Sequence, residues 1–396
     1  MRDKDKHRPL KQSLAIAVLI MTALACSDYI GVDPDRIAPK DLSGQDFSMG
    51  NLAPFDLSGK NFQNADLSGT NLRHVNLTGS NLRGANLSYA EAFNANFTNA
   101  DLRGANMHWL CFDGAIWKNA KLDDKWQKVV DLISQGVVPG QDLREYDLSH
   151  VCIQHELGDT RTGYQADLSG VNMEGVNLSE AYLFRVNLEA ANLSESFAQE
   201  AELADSNLKS VDFSGANLQG AQLEYSNAEG ADFSYADLRG AKLNRFCFLD
   251  ANFTGALLDE KWATIIHLIE AGIKPGTDLS ELDFSESCLT RYDFSGVNLT
   301  GSNIYQADWH RINLEGANLS KANLEWIDLS GANLRNVDFT GAKLYGASVQ
   351  YADLTGAILS KKQLEDISLL SCAWGPDGVR FKNTGNTECE ADLPYP

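Results

Sequence analysis

Ala65-Asp66-Leu67-Ser68-Gly69, Thr70-Asn71-Leu72-Arg73-His74 and Val75-Asn76-Leu77-Thr78-Gly79 carry one five-residue pattern three times over: a small or short residue, Asp or Asn, Leu, then two variable positions. The frame begins at Asp41-Leu42 and holds to Leu122. It resumes at Asp142-Leu143 and runs to Leu258, with a degenerate patch near Glu156 to Tyr164, then resumes at Asp278-Leu279 and continues to about Leu364. A period of five matches neither the 3.6 of a helix nor the 2 of a flat strand, so neither element could keep every Leu on one side. Each unit must therefore make its own turn. Self-similarity at a fixed short period is the signature of a solenoid, in which each unit contacts mainly its neighbours.

The residue types agree with that reading. Stacked Leu and Phe (Leu67, Leu87, Phe97, Leu102) fill a narrow core, which leaves room only for something small, and Ala65, Ala85, Ala95, Ala100 and Ala105 supply it. The Asp or Asn before each central residue is expected to face outward and bond turn backbone, and Ser-Gly or Arg-Gly pairs to allow the corner. In these features the chain resembles the pentapeptide-repeat family. The resemblance implies an all-β solenoid, a right-handed quadrilateral parallel β-helix with four units per coil and the central Leu or Phe inward. Two short inserted amphipathic helices and a C-terminal cap are expected to complete it.

Asp and Glu number 54 against 33 Lys and Arg, a net charge of −21, which disfavours contact with phosphate backbones and argues against nucleic acid as a direct ligand. Much of that acidity follows from the repeat itself. With 43% hydrophobic residues the chain is rich enough to fold despite its repetition.

The N-terminus is a separate object. Arg2, Lys4, Lys6, Arg8 and Lys11 precede an apolar run from Leu14 to Ala25, which ends in Ala23-Leu24-Ala25-Cys26. Basic, apolar and small-residue parts in that order read as a signal peptide, and the run is short of the ~20 residues a membrane-spanning helix needs. Ala23-x-Ala25 suits ordinary signal peptidase. A small residue before Cys26, followed by Ser27-Asp28, resembles a bacterial lipoprotein signal in which Cys26 becomes lipid-modified, although Leu24 stands one place later than the usual Leu.

The frame breaks twice, and the breaks are copies at a constant offset of 136 residues: Leu122-Asp123-Asp124-Lys125-Trp126 and Leu258-Asp259-Glu260-Lys261-Trp262. Trp126, Val129, Val130 and Ile133, like Trp262, Ile265, Ile266 and Ile269, lie at i, i+3, i+4, i+7, the stripe of a short amphipathic helix. Gly136 and Gly272 stand where a C-terminal cap is wanted. Such interruptions resemble those of bacterial, especially cyanobacterial, family members. Trp126 and Trp262 either dock on the solenoid or form a candidate interaction surface, because insertions into solenoids often mark the binding face.

Of seven cysteines, Cys111 and Cys152 flank the first break, Cys247 and Cys288 the second, and Cys372 and Cys389 bracket the tail. In an oxidising compartment these six are disulfide candidates, which leaves Cys26 for the lipid. Pairing across a break requires the insertion to leave the two cysteines on adjacent coils. His108, Cys111, His150, Cys152 and His155 could instead supply metal ligands, but the duplicate carries Asn244, Glu286 and Arg291 in place of the three histidines, so no metal is expected. No cofactor is implied.

No zinc-protease helix, phosphate loop or nucleophile elbow is present, and surface carboxylate pairs follow from the repeat. The expected organisation is a signal peptide (1–25), linker (26–40), repeat block (41–122), helical insertion (123–142), second block (143–258), second insertion (259–278), third block (279–366) and disulfide-stapled cap (367–396) with Trp374 over the last coil. The function expected is an exported, lipid-anchored, non-enzymatic scaffold in the bacterial envelope, or a secreted one, with a protein partner. The alternative is an acidic, DNA-mimicking inhibitor of a type II topoisomerase, if the N-terminus is not cleaved.

Overall fold

The computed structural model describes residues 40–53, 55–153, 166–381 and 389. The expected signal peptide, Cys26, most of the linker, His155, the degenerate patch and much of the tail lie outside the described residues. The chain forms two compact units, residues 1–187 with 196–202, and 188–195 with 203–396.

Both units are built the same way. Asp41 bridges Asn61, Asp46 bridges Asp66, Asn51 bridges Asn71 and Asp56 bridges Asn76, all in parallel, so the partner of each pentad lies twenty residues on and four pentads make a coil. In the second unit Asn298 to Asn318 and Asn303 to Asn323 repeat the offset. A pentad has room for about two extended residues before it turns, so most pairings stay single bridges. Among the described residues only β1 (Ala166–Asp167) and β2 (Val186–Asn187) extend to two residues. Three backbone bonds tie each pentad to its neighbours and a fourth closes the turn. Around Leu42 these are Leu42 N–H to Asn61 O (2.7 Å), Gly44 N–H to Gln63 O (2.9 Å), Asn61 N–H to Lys40 O (2.9 Å) and Gln45 N–H to Leu42 O (3.3 Å).

The central residues and the small residues two places earlier are buried, as at Leu67, Leu82, Leu87, Ala85 and Ala95. Identical positions stack coil on coil. Phe213, Phe233 and Phe253 lie face to face, with ring centroids 5.2 and 5.1 Å apart.

The acidic position is spent on the fold. Asp41 Oδ1 accepts the Ser43 N–H at 3.1 Å and the Asn61 side-chain amide of the next coil at 2.8 Å. Asp56 takes Ser58 N–H and the Asn76 amide in the same way. The corner residue adopts left-handed backbone, and not only where it is glycine: Asn64, His74 and Tyr89 sit at φ of 56°, 58° and 59°. That conformation is unfavourable for residues with a Cβ. It persists because the corner N–H is bonded to the next coil, as from Tyr89 to His108 O at 3.0 Å.

Helices α1 (Asp124–Gln135) and α2 (Glu260–Glu270) occupy the two breaks. The buried face of α1 is Trp126, Val129, Val130 and Leu132, so Leu132 takes the place expected of Ile133. A third helix, α3 (Lys361–Asp366), departs from the expectation that repeats continue to residue 366. Each helix starts at one point of the frame, three residues after a bridged position: Lys121, Leu257 and Ile358 end ladders from Asp101, Asp237 and Asp338. Ser360 caps α3 through a capping box with Gln363. After α3 the coil resumes, with Leu369 paired to Ser348 and Trp374 to Asp353. Trp374 therefore takes the Asp/Asn position of the last coil rather than covering it, and a hairpin turns back to pair Trp374 with Arg380. Among the described residues no helix is long and apolar enough to cross a membrane.

Candidate interaction site: two disulfide-clasped helical modules

At the second break three ladders of the coil are interrupted and one is continuous. Lys242, Asn252 and Leu257 pair with the preceding coil, at Gln222, Asp232 and Asp237, and among the described residues none bridges a later one; ladders restart at Asp278, Asp283 and Asp293. One ladder crosses, through Asn227, Cys247, Cys288 and Asp308 in succession. The disulfide lies on that ladder. Cys247 and Cys288 have Cα atoms 4.9 Å apart although 41 residues separate them, and Cys111 and Cys152 repeat the arrangement at 5.1 Å. Both bonds thus staple the coil where its hydrogen-bonded ladder is thinned. Cys372 and Cys389 form a third disulfide.

The helices are anchored by matching contacts at the constant offset. Asp123 Oδ2 accepts the Gly104 N–H at 2.9 Å, and Asp259 Oδ2 accepts the Gly240 N–H at 3.1 Å. Lys125 Nζ donates to Ser149 O (2.8 Å) and Ser149 Oγ (2.7 Å) and pairs with Asp147 (3.1 Å). Lys261 Nζ does the same with Ser285 O (2.6 Å), Ser285 Oγ (3.0 Å) and Asp283 (3.7 Å). Each ammonium also lies over the indole that follows it, 5.4 Å from the Trp126 ring and 5.1 Å from Trp262.

Trp126 and Trp262 are each only 6% exposed. Their burial fastens the helices to the coil. The faces left to solvent are Gln127, Lys128 and Asp131 on α1 and Thr264, His267 and Glu270 on α2. In α3 the position of the two tryptophans is held by Gln363, whose side-chain amide donates to Phe339 O (2.7 Å) and Ala342 O (2.9 Å).

The modules differ at their corners. In the first, Trp109 stacks on Tyr89 (4.4 Å between centroids), its indole N–H donates to Glu180 O at 2.6 Å, and His108 and His150 lie 4.2 Å apart. Burial, together with the neighbouring His150 and Lys125, holds His108 below its ordinary pKa. Of the sequence-proximal set His108, Cys111, His150 and Cys152, the two sulfurs are bonded to each other. In the second module Arg245 replaces Trp109 and donates to Gln306 O at 2.9 Å, and Arg291 pairs with Glu229 at 2.7 Å. Here Asp308 Oδ1 lies 2.7 Å from His310 Nδ1, and that bond raises the His310 pKa against its own burial. Tyr89, Trp109, Asp308 and His310 carry no marker in the linear pattern. Their only signal is residue type at a corner or ladder position twenty residues from a partner.

The Pentapeptide repeats family pattern matches residues 61–97, 80–116, 164–197, 187–224, 212–248, 293–331 and 322–360, together more than half of the chain. The chain belongs to the pentapeptide-repeat family. Among solved structures it is similar to HetL, a pentapeptide repeat protein involved in heterocyst differentiation regulation from the cyanobacterium Nostoc sp. strain PCC 7120. The identity is 20% over 86% of this chain and 91% of that one, with a TM-score of 0.16. It is also similar to Rfr23 from the cyanobacterium Cyanothece 51142 (23% identity, 34% and 93% coverage, TM-score 0.23). A pentapeptide repeat protein from the Arabidopsis thaliana thylakoid lumen is 33% identical over 24% of this chain and 81% of its own, with a TM-score of 0.12. No curated protein matches the chain.

Proposed function

We propose that this pentapeptide-repeat protein is an exported, non-enzymatic scaffold of right-handed coil, lipid-anchored at Cys26 in the bacterial envelope, which presents α1 and α2 to a protein partner. The observation that carries the reading is the pairing of six of the seven cysteines as disulfides, two of them bracketing the helical modules. Structural disulfides persist in oxidising compartments. The remaining cysteine, Cys26, directly follows the apolar run that reads as a signal peptide. Inside the coil the side chains are apolar and stacked, and outside it the Asp carboxylates are engaged by turn N–H groups, so the coil supports a binding role through what is mounted on it. The two helices are fixed alike and differ on their solvent faces, so each offers a partner its own surface.

Mass spectrometry of the mature N-terminus from fractionated cells tests the proposal. Diacylglycerol on an N-terminal Cys26 in the membrane fraction is expected. An intact Met1 in the cytosol would overturn export and leave the acidic topoisomerase inhibitor as the surviving reading.

A further inference from the structure

Cys247, Cys288 and Asp308 are three consecutive rungs of one parallel ladder, and their two sulfurs and a carboxylate oxygen all lie within 4.8 Å of one another. Cys288 is buried, while Cys247 and Asp308 are partly open to solvent, so the cluster is shielded on one side and reachable from the other. Asp308 is held from behind: its Oδ1 is 2.7 Å from His310 Nδ1, which lies 3.2 Å from Thr290 Oγ1, itself 3.3 Å from Cys288 Sγ. Fixed carboxylates with a hydrogen-bonded support are what a metal site needs around its ligands.

We propose that this clasp has a second closed form, in which the reduced Cys247 and Cys288 thiolates and the Asp308 carboxylate bind a thiophilic divalent cation of the zinc or cadmium class. A dithiol reductant breaks the S–S bond by exchange, closes to its own cyclic disulfide and leaves its two hydrogens on the Cys247 and Cys288 sulfurs; a phosphine gives the same two thiols with one water, which supplies the two protons and the oxygen of the phosphine oxide. The cation then displaces the thiol protons, forming two metal–sulfur bonds and one metal–oxygen bond, with a fourth position left to solvent. Tetrahedral zinc places two thiolates about 3.8 Å apart, a spacing that side chains on rungs 4.9 Å apart can adopt without moving the coil. The metal thus keeps the two coils stapled at the rung where the disulfide held them.

The first module is the internal control. There the rung after Cys152 is Tyr182 in place of Asp308 and Phe184 stands where His310 would be, and among the described residues neither His108 nor His150 joins Cys111 and Cys152 in a cluster of ligand atoms within 4.8 Å. The cysteine pair alone is duplicated; the ligand set is not.

The test uses the full chain, reduced with a phosphine under argon and titrated with Co²⁺ as a spectroscopic probe. When Cys26, Cys111, Cys152, Cys372 and Cys389 are serine, one Co²⁺ per chain is expected, with thiolate-to-cobalt charge-transfer absorption that Zn²⁺ abolishes. Asp308→Asn is expected to weaken binding about tenfold or more, as is a chain that keeps only Cys111 and Cys152. In the reduced wild-type chain, Zn²⁺ should protect Cys247 and Cys288 from alkylation while Cys111 and Cys152 react, a readout that requires no variant to fold. Absence of the charge-transfer band, equal affinity in Asp308→Asn, or equal protection of the two cysteine pairs would each overturn the proposal.

Discussion

The indole of Trp326 lies against the backbone of Gly346 one coil further on, so close that a Cβ on Gly346 would stand 2.6 Å from two ring carbons. Tyr235 and Gly255 repeat the relationship at 2.8 Å. A large corner residue thus leans over the next coil, and the glycine there, at φ +76° in Gly346, makes the approach possible. Gly346→Ala should destabilise the second unit by about 1–3 kcal/mol through overpacking. Adding Trp326→Ala should restore part of the loss, because the two residues share the contact. Thermal melts of the two single variants and the double variant check this. Strict additivity would show that backbone strain alone, and not the ring, sets the cost.

The two lysines make the helices part of the coil. Lys125→Met and Lys261→Met each remove a charged donor from a backbone carbonyl and a serine hydroxyl. Bonds to charged groups contribute about 1.5–3 kcal/mol. The expected result is faster hydrogen exchange confined to α1 or α2 respectively, with the repeat amides unchanged. Uniform loss of protection across the coil would mean that the helices and coil unfold as one.

Gln363 performs by hydrogen bonding what the tryptophans perform by packing. Gln363→Ala leaves Ala342 O without its side-chain donor and Phe339 O with the Ala342 N–H alone, at a cost of about 1–3 kcal/mol for the carbonyl left unsatisfied. Limited proteolysis should then cut near α3 first. Unchanged resistance there would contradict the anchoring role.

The regular coil was legible in the linear pattern because every pentad repeats one physical solution, and α1 and α2 were legible because Trp126 and Trp262 open a 3.6-period stripe. α3 was not: Ser360 to Asp366 offers no apolar stripe, and the residue that fastens it is a glutamine whose partners lie 21 and 24 positions away. The flanking cysteines pointed to the breaks. Their association with Asp308 depends on ladder register across α2, which the spacing alone does not state. The burial of both indoles likewise depends on where the helices lie against the coil, which the linear pattern does not state.

The Asp positions make stability sensitive to acid. Hydrogen bonds from Arg144 hold Asp142 at a pKa of about 2, those from Arg239 hold Asp237 at about 2, and those from Ser280 lower Asp278. Folded values below the unfolded value of about 3.9 mean that the stabilisation is complete above pH ~4 and lost as pH falls toward the folded values. Melting temperature should be level with respect to these groups from pH 5 to pH 8 in about 0.15 M salt and fall between about pH 4 and pH 2. A decline that begins near pH 6 would implicate histidines instead.

The central claim, an exported coil clasped at its helical modules, is tested most directly by non-reducing peptide mapping of the protein isolated from the envelope fraction of its native cells under acid quench. The account predicts linked peptides joining Cys111 to Cys152, Cys247 to Cys288 and Cys372 to Cys389, with no free thiol at these positions. Recovery of the protein in the cytosol with all six thiols free would contradict it.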